Sequence, residues 1–209
     1  MGESASRSFG TPTDTGVAHR SRLDQFTVML MNLIVLDRDG VINQDSDAYI
    51  KSADEWVAIP GSLQAIARLY HAGYRVAVAS NQSGIGRGLF TIDDLNAMHR
   101  KLTRELAMLG AQIEAMFFCP HTPSDQCACR KPNPGLLLDI KERLQVQLGG
   151  VPIVGDTLRD VGAARRVGAS PILVLTGKGK LTVQRHKAEL AGVPVYENLL
   201  AVADALVAN

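Results

Sequence analysis

The 209-residue chain is 46% hydrophobic and 21% charged with a formal net charge of +1, the balance of an ordinary soluble globular protein. Near-neutrality argues against a general nucleic-acid or acidic-membrane binder, which needs a basic excess, and no apolar run is long enough to cross a bilayer. No apolar stretch with a small-residue cleavage site follows the first residues, so no secretory signal is expected and a cytoplasmic protein is.

Residues 1–30 are rich in Ser, Thr, Gly and Arg and lack apolar periodicity. They cannot bury enough surface to offset the entropy of ordering, so a disordered extension is expected there, with one domain over residues 31–209. NLIVLD (32–37) is an apolar run of the kind that forms a buried strand. In SLQAIARLYHAG (62–73), Leu63, Ile66, Ala67 and Tyr70 recur at helical spacing up to Gly73. YRVAVAS (74–80) is a second strand. Thr91 caps a helix carrying Leu95, Met98, Leu102, Leu106 and Leu109 and ending at Gly110. IEAMFFC (113–119) is a third strand, and a helix runs from Gly135 to Leu144. VPIVGD (151–156), a short helix over 160–169, SPILVLTG (170–177), VPVYEN (193–198) and a closing helix over 199–208 complete the pattern. Alternating strands and helices predict an α/β fold, a mostly parallel sheet with helices on both faces, whose ligands bind beyond the carboxyl ends of the strands.

The chemistry-bearing residues fall at those ends. In LDRDG, Asp37 and Asp39 leave an apolar strand in a tight turn, able to share a cation or to divide nucleophile and acid/base roles. Asp and Gly also end strands for no chemical reason, and at this point both readings stand. ASNQSGIGRG (79–88) sets a hydroxyl and an amide before a Gly-rich loop with Arg87, a seat for an oxyanion or a plain turn. In VGDTLRD, Asp156 is placed to complete a hard-cation site with Asp37, and Asp160 either joins it or caps the next helix. Lys131 is the one ammonium in the middle of this set, a charge-balancing device by position alone.

All three cysteines lie in CPHTPSDQCACRKPNPG. Cys119, His121, Cys127 and Cys129 form a Cys₃His set, the composition of a closed structural zinc site, whereas a disulfide would leave one cysteine over. The loop between them has few apolar residues to hold its shape, which a metal would do. His71, His99 and His186 read as surface or cap residues, His19 falls in the extension, and Trp56 reads as packing or as the wall of a substrate pocket.

LDRDGVIN, ASNQSG, RKPNPG and VGDTLRD, in this order and spacing, resemble the four motifs of the haloacid-dehalogenase-like phosphatases, over nearly the whole chain from Met31. NQSGIGRG, the CPH…CxCRKPxPG loop and LTGKG resemble, more narrowly, the branch acting on heptose bisphosphates. The resemblance implies a three-layer Rossmann-like domain, without a separate cap domain and with a zinc-stabilised loop. It implies Mg²⁺ between Asp37, the backbone carbonyl of Asp39, and Asp156. Asp37 would be the nucleophile and Asp39 the acid, then the base. Ser80, Asn81 and Lys131 would hold phosphoryl oxygens beside Gln82 and Ser83, Arg130 would reach the substrate beyond the reacting phosphate, and Asp45 would touch the sugar. The implied activity is hydrolysis of the 7-phosphate of heptose 1,7-bisphosphate in lipopolysaccharide heptose synthesis, by a monomer with no nucleic-acid or membrane partner. Histidinol-phosphate hydrolysis and a non-catalytic zinc-stabilised binding protein are the alternatives. Two departures stand out: Thr157 follows Asp156 where the family is often basic, and the loop between His121 and Cys127 is as short as in histidinol-phosphate phosphatases.

Overall fold

The computed structural model describes residues 1–2 and 33–208. The extension expected over residues 1–30 lies almost wholly outside the described residues, as does the start of the domain at Met31.

Six parallel strands form one sheet: β1 (Leu33–Leu36), β2 (Arg75–Asn81), β3 (Ala115–Cys119), β4 (Pro152–Gly155), β5 (Ser170–Val174) and β6 (Val195–Tyr196). Their order is β3-β2-β1-β4-β5-β6. The helices are α1 (Ser62–His71), α2 (Ser83–Gly86), α3 (Ile92–Ala107), α4 (Gly135–Arg143), α5 (Leu158–Arg166), α6 (Gly179–Arg185) and α7 (Leu199–Val207). Strand alternation divides the core into two layers. Ile34 and Leu36 of β1 and Val76 and Val78 of β2 face α1, α3 and α7 through Ile66, Leu69, Leu95, Met98 and Val202. Leu33, Val35, Ala77 and Ala79 face α4 and α5 through Leu137, Ile140, Ala163 and Ala164.

Local chemistry starts and aims the helices. Thr91 Oγ1 accepts from Asp94 N at 3.2 Å while Asp94 Oδ2 accepts from Thr91 N at 2.8 Å, a capping box whose loss costs about 1 kcal/mol. Leu95, Met98, Leu102 and Leu106 are buried as the spacing predicts, but Leu109 lies past the helix end and is exposed. In α1 Ile66 and Ala67 of the expected stripe are buried, joined by Ser62, Ala65 and Leu69, while Leu63 and Tyr70 are half-buried. Ser62 Oγ donates to the carbonyl of Ile42 at 2.6 Å, tying the helix start to the loop after β1. Helices α2 and α6 and a 3₁₀ turn at Pro123–Asp125 were not foreseen, because Gly-rich and Pro-Ser-Asp stretches carry no periodicity.

After β1 the chain builds β2 and β3 on one side, then crosses to β4 on the other. The crevice at the carboxyl ends of β1 and β4 is therefore the switch point where a parallel sheet leaves room for a ligand.

Candidate active site

Three carboxylates meet at that crevice. One oxygen each of Asp37, Asp156 and Asp160 lies within 4.8 Å of the others. Lys131, only 3% exposed, places Nζ 3.1 Å from Asp37 Oδ1, 2.6 Å from Asp160 Oδ1 and 2.6 Å from the carbonyl of Ala79. Burying an ammonium demands such partners. Its backbone is fixed as well: Lys131 N donates to Asn81 Oδ1 and Asn81 Nδ2 donates to Lys131 O, both at 3.0 Å. This reciprocal pair joins the end of β2 to the loop that delivers the lysine.

Asp39 lies apart from that group. Its carboxylate accepts from Arg38 at 2.8 and 3.0 Å, from Asn43 at 2.8 Å and from Gln82 at 2.7 Å. Arg38 is 1% exposed and also donates to Gln82 Oε1 at 3.1 Å, so it lies beneath Asp39 as a buried counter-charge. Gln82 Nε2 also donates to Ser80 Oγ at 2.6 Å, leaving the Ser80 hydroxyl hydrogen for an acceptor in the cleft.

The oxygens are unevenly committed. Asp37 Oδ1 takes Arg38 N at 2.7 Å as well as Lys131, and Asp156 Oδ2 takes Lys178 N at 2.7 Å. Asp160 spends Oδ2 on Thr157 N and Oγ1, closing the N-terminus of α5. Asp37 Oδ2 and Asp156 Oδ1 remain, two hard oxygens suited to a divalent cation that keeps several waters. Asp156 is held by backbone on two sides: a Cβ on Gly40 (φ 81°) or Gly177 (φ 55°) would run into its Oδ2. Both positions thus need glycine for conformation and for space.

The cleft above this floor has a volume of about 320 Å³. Its rim carries Asp45, Asp47 and Tyr49 from the loop after β1, Arg87 from the end of α2, Arg130, Arg159, and Lys178 from the loop after β5. Lys178 Nζ reaches Asp45 at 3.3 Å and Asp47 at 3.1 Å across the mouth.

On the other side of Arg130 the Cys₃His set is assembled. Cys119 Sγ lies 3.6 Å from Cys127 Sγ, 3.1 Å from Cys129 Sγ and 3.6 Å from His121 Nδ1. Cys129 Sγ lies 3.4 Å from Cys127 Sγ and 3.2 Å from His121 Nδ1. A tetrahedral zinc with bonds of about 2.3 Å would set its sulfurs about 3.8 Å apart, so the four donors fit one ion with little adjustment. No pair is joined as a disulfide among the described residues.

Crowding the carboxylates changes their acidity. Burial, and then the charges of Asp160 and Asp39, push Asp37 up to about 7 despite Lys131. Burial, and then Asp160 and Asp37, push Asp156 up to about 8. Burial also works against Asp39, but the Arg38 guanidinium and the Asn43 and Gln82 amides hold it below the ordinary carboxylate range. Between roughly pH 4 and these raised values the folded protein holds protons on Asp37 and Asp156 that the unfolded chain has released, so without metal its stability falls as pH rises through that window. His99, lowered to about 4 by burial and Arg38, has the opposite slope below about pH 6.5 but cancels when one compares samples with and without metal. Thermal shifts with Mg²⁺ should therefore be near zero at about pH 5 and reach about 4 °C at about pH 7.5. Equal shifts at both pH values would mean the ion does not displace these protons.

Of the residues expected at the site, Asp37, Asp39, Asp45, Ser80, Asn81, Gln82, Ser83, Arg130, Lys131 and Asp156 all line this one cleft. The Asp39 carboxylate does not join the Asp37–Asp156 group. Asp160 turns out both to cap α5 and to face Lys131, and its spacing of four from Asp156 was the available signal. Sequence reasoning missed Arg38, Arg159 and Lys178. A charged residue between two aspartates after a buried strand could have flagged Arg38; Lys178 sits inside LTGKG and Arg159 inside VGDTLRD, stretches already singled out without a role for either residue. Trp56 is buried packing, with Lys101 Nζ 5.6 Å from its ring center.

Comparison with known proteins gives concordant findings. The HAD-hydrolase-like family profile matches residues 128–202. The D-glycero-beta-D-manno-heptose-1,7-bisphosphate 7-phosphatase of Bordetella bronchiseptica is 56% identical over 176 residues, 84% of this chain and 98% of that protein. The protein so named in Pseudomonas aeruginosa is 50% identical, over 85% of this chain and 99% of that one. The crystal structure of D,D-heptose 1,7-bisphosphate phosphatase from B. bronchiseptica, complexed with magnesium and phosphate, superposes with a TM-score of 0.83 at 55% identity, covering 85% of this chain and 99% of that one.

Proposed function

The chain belongs to the haloacid-dehalogenase-like hydrolases that include these heptose bisphosphate phosphatases, and from that membership we propose that it hydrolyzes the 7-phosphate of D-glycero-D-manno-heptose 1,7-bisphosphate, leaving the 1-phosphate. The observation that carries this reading is the convergence of Asp37, Asp156, Asp160 and Lys131 at the switch point, beneath a rim with unpaired cations.

An oxygen of Asp37 attacks the phosphorus in line while the bond to the sugar oxygen breaks, giving an aspartyl-phosphate. Asp39 gives its proton to the departing oxygen. It then takes a proton from the water that cleaves the aspartyl-phosphate, which returns Asp37 and releases phosphate. In the free protein Asp39 is held acidic, which suits the second step; the arriving phosphate dianion raises its pKa for the first. Lys131 aims Asp37 and sets positive charge beside the phosphoryl oxygens, and the free hydrogen of Ser80 reaches one of them. Mg²⁺, when held by Asp37 and Asp156, offsets the repulsion between carboxylate and phosphate. Zinc on Cys119, His121, Cys127 and Cys129 shapes the loop that carries Arg130 and Lys131, and its thiolates suit a reducing, cytoplasmic setting. Residues 31–209 act as the catalytic domain, in line with relatives that match 81–85% of the chain. In this reading the protein acts as a monomer.

The test is phosphate release, with Mg²⁺, from heptose 1,7-bisphosphate and from histidinol phosphate. One phosphate per heptose and a preference of about 100-fold or more for the bisphosphate are expected. Preference for histidinol phosphate would overturn the substrate assignment and keep the chemistry.

A further inference from the structure

The cleft's cations can be sorted by what already neutralizes them. Arg38 is held by Asp39, Lys131 by Asp37 and Asp160, and Lys178 by Asp45 and Asp47. Arg87, Arg130 and Arg159 border the same cleft without an ion pair among the described residues, although the Arg159 charge acts on the neighboring Asp160. Arg130 makes only a 3.2 Å bond from Nη1 to the carbonyl of His121. Arg130 and Arg159 also border a second, shallower hollow of about 290 Å³, between the zinc loop and the start of α5, which Arg87 does not reach. Two guanidiniums therefore share the wall between the hollow and the floor where phosphoryl transfer takes place.

We propose that Arg159 acts with Arg130 as the seat of the substrate's second phosphate, a specificity element resting on the sugar bisphosphate reading above. A phosphate dianion offers three terminal oxygens, and two planar forks can each present paired donors to it. Arg130 follows the zinc ligands directly in sequence, and Arg159 approaches from the first turn of α5. A monophosphate ester has nothing to place there. The seat thus converts the second phosphate into orientation of the first, through remote binding energy.

The experiment compares kcat/KM for heptose 1,7-bisphosphate with that for heptose 7-phosphate, in the wild type, Arg159→Gln and Arg159→Lys. In the wild type the bisphosphate should be preferred. Arg159→Gln should cut that preference roughly tenfold, mainly through KM, and Arg159→Lys should restore part of it. A wild type that prefers the bisphosphate, with Arg159→Gln leaving the ratio unchanged or both substrates falling equally, overturns the seat alone. A wild type indifferent to the second phosphate overturns the seat and the bisphosphate reading together.

Discussion

Asp37→Asn should yield a folded protein with phosphate release reduced by about 10⁴-fold or more, about 5.4 kcal/mol of barrier. The carboxamide has nearly the shape of the carboxylate but cannot form the acyl phosphate, so the first covalent step is lost rather than slowed. A second readout separates this from damage to the fold. Asp37 sits buried against Asp160 and Asp39 and is lifted to about 7, so its charge opposes folding near neutrality when no metal is present. Asn removes that charge. Above about pH 7 in EDTA the variant should melt no lower than the wild type, while the stabilization by Mg²⁺ should shrink because one of the two uncommitted oxygens is no longer anionic. Melting curves with and without Mg²⁺, beside a phosphate-release assay, check both halves. Activity within tenfold of the wild type would end the covalent mechanism.

Cys127→Ser should lose zinc and stability together. Serine is a poor, hard donor for this ion, and the three remaining ligands would be left to a site built for four. Without the metal the loop keeps a few hydrogen bonds: Asn133 Nδ2 donates to the carbonyl of Cys127 at 2.8 Å, Gly135 N to that of Ala128 at 3.0 Å, Gly86 N to that of Pro120 at 3.0 Å, Arg130 Nη1 to that of His121 at 3.2 Å, and Thr122 N to Asp125 Oδ2 at 2.6 Å. A loss of about 3 kcal/mol would lower Tm by about 6–12 °C in a chain of this size. Activity should fall too, since Arg130 and Lys131 follow the last zinc ligand directly. Elemental analysis should find about one zinc per wild-type chain and far less in the variant. A wild type without zinc would overturn this account.

The parallel sheet, both helical layers and the gathering of Asp37, Ser80, Lys131 and Asp156 at one end of the sheet were legible because each rests on a periodic signal or a short-range motif. Burial on both faces writes LIVL and VAVAS as unbroken apolar runs, and strand ends in such a sheet share one side. The rim was far less legible. Lys178 meets Asp45 and Asp47 over more than a hundred residues of chain, and Arg159 gains meaning only beside Arg130. No local pattern encodes such pairings. The burial of Ser62 was hidden for a similar reason: its hydroxyl is satisfied by a bond to Ile42, which no spacing of apolar residues records.

Lys178 joins two tasks in one residue. Its backbone N–H holds Asp156 in place, and any amino acid except proline supplies that donor; its side chain spans Asp45 and Asp47 at the mouth. Descendants of this sequence are free to exchange the side chain at the mouth, while the donor that orients Asp156 is inherited intact. The placing of Asp156 is thus written in main chain and the charge at the mouth in side chain, so the one can diversify under selection without putting the other at risk.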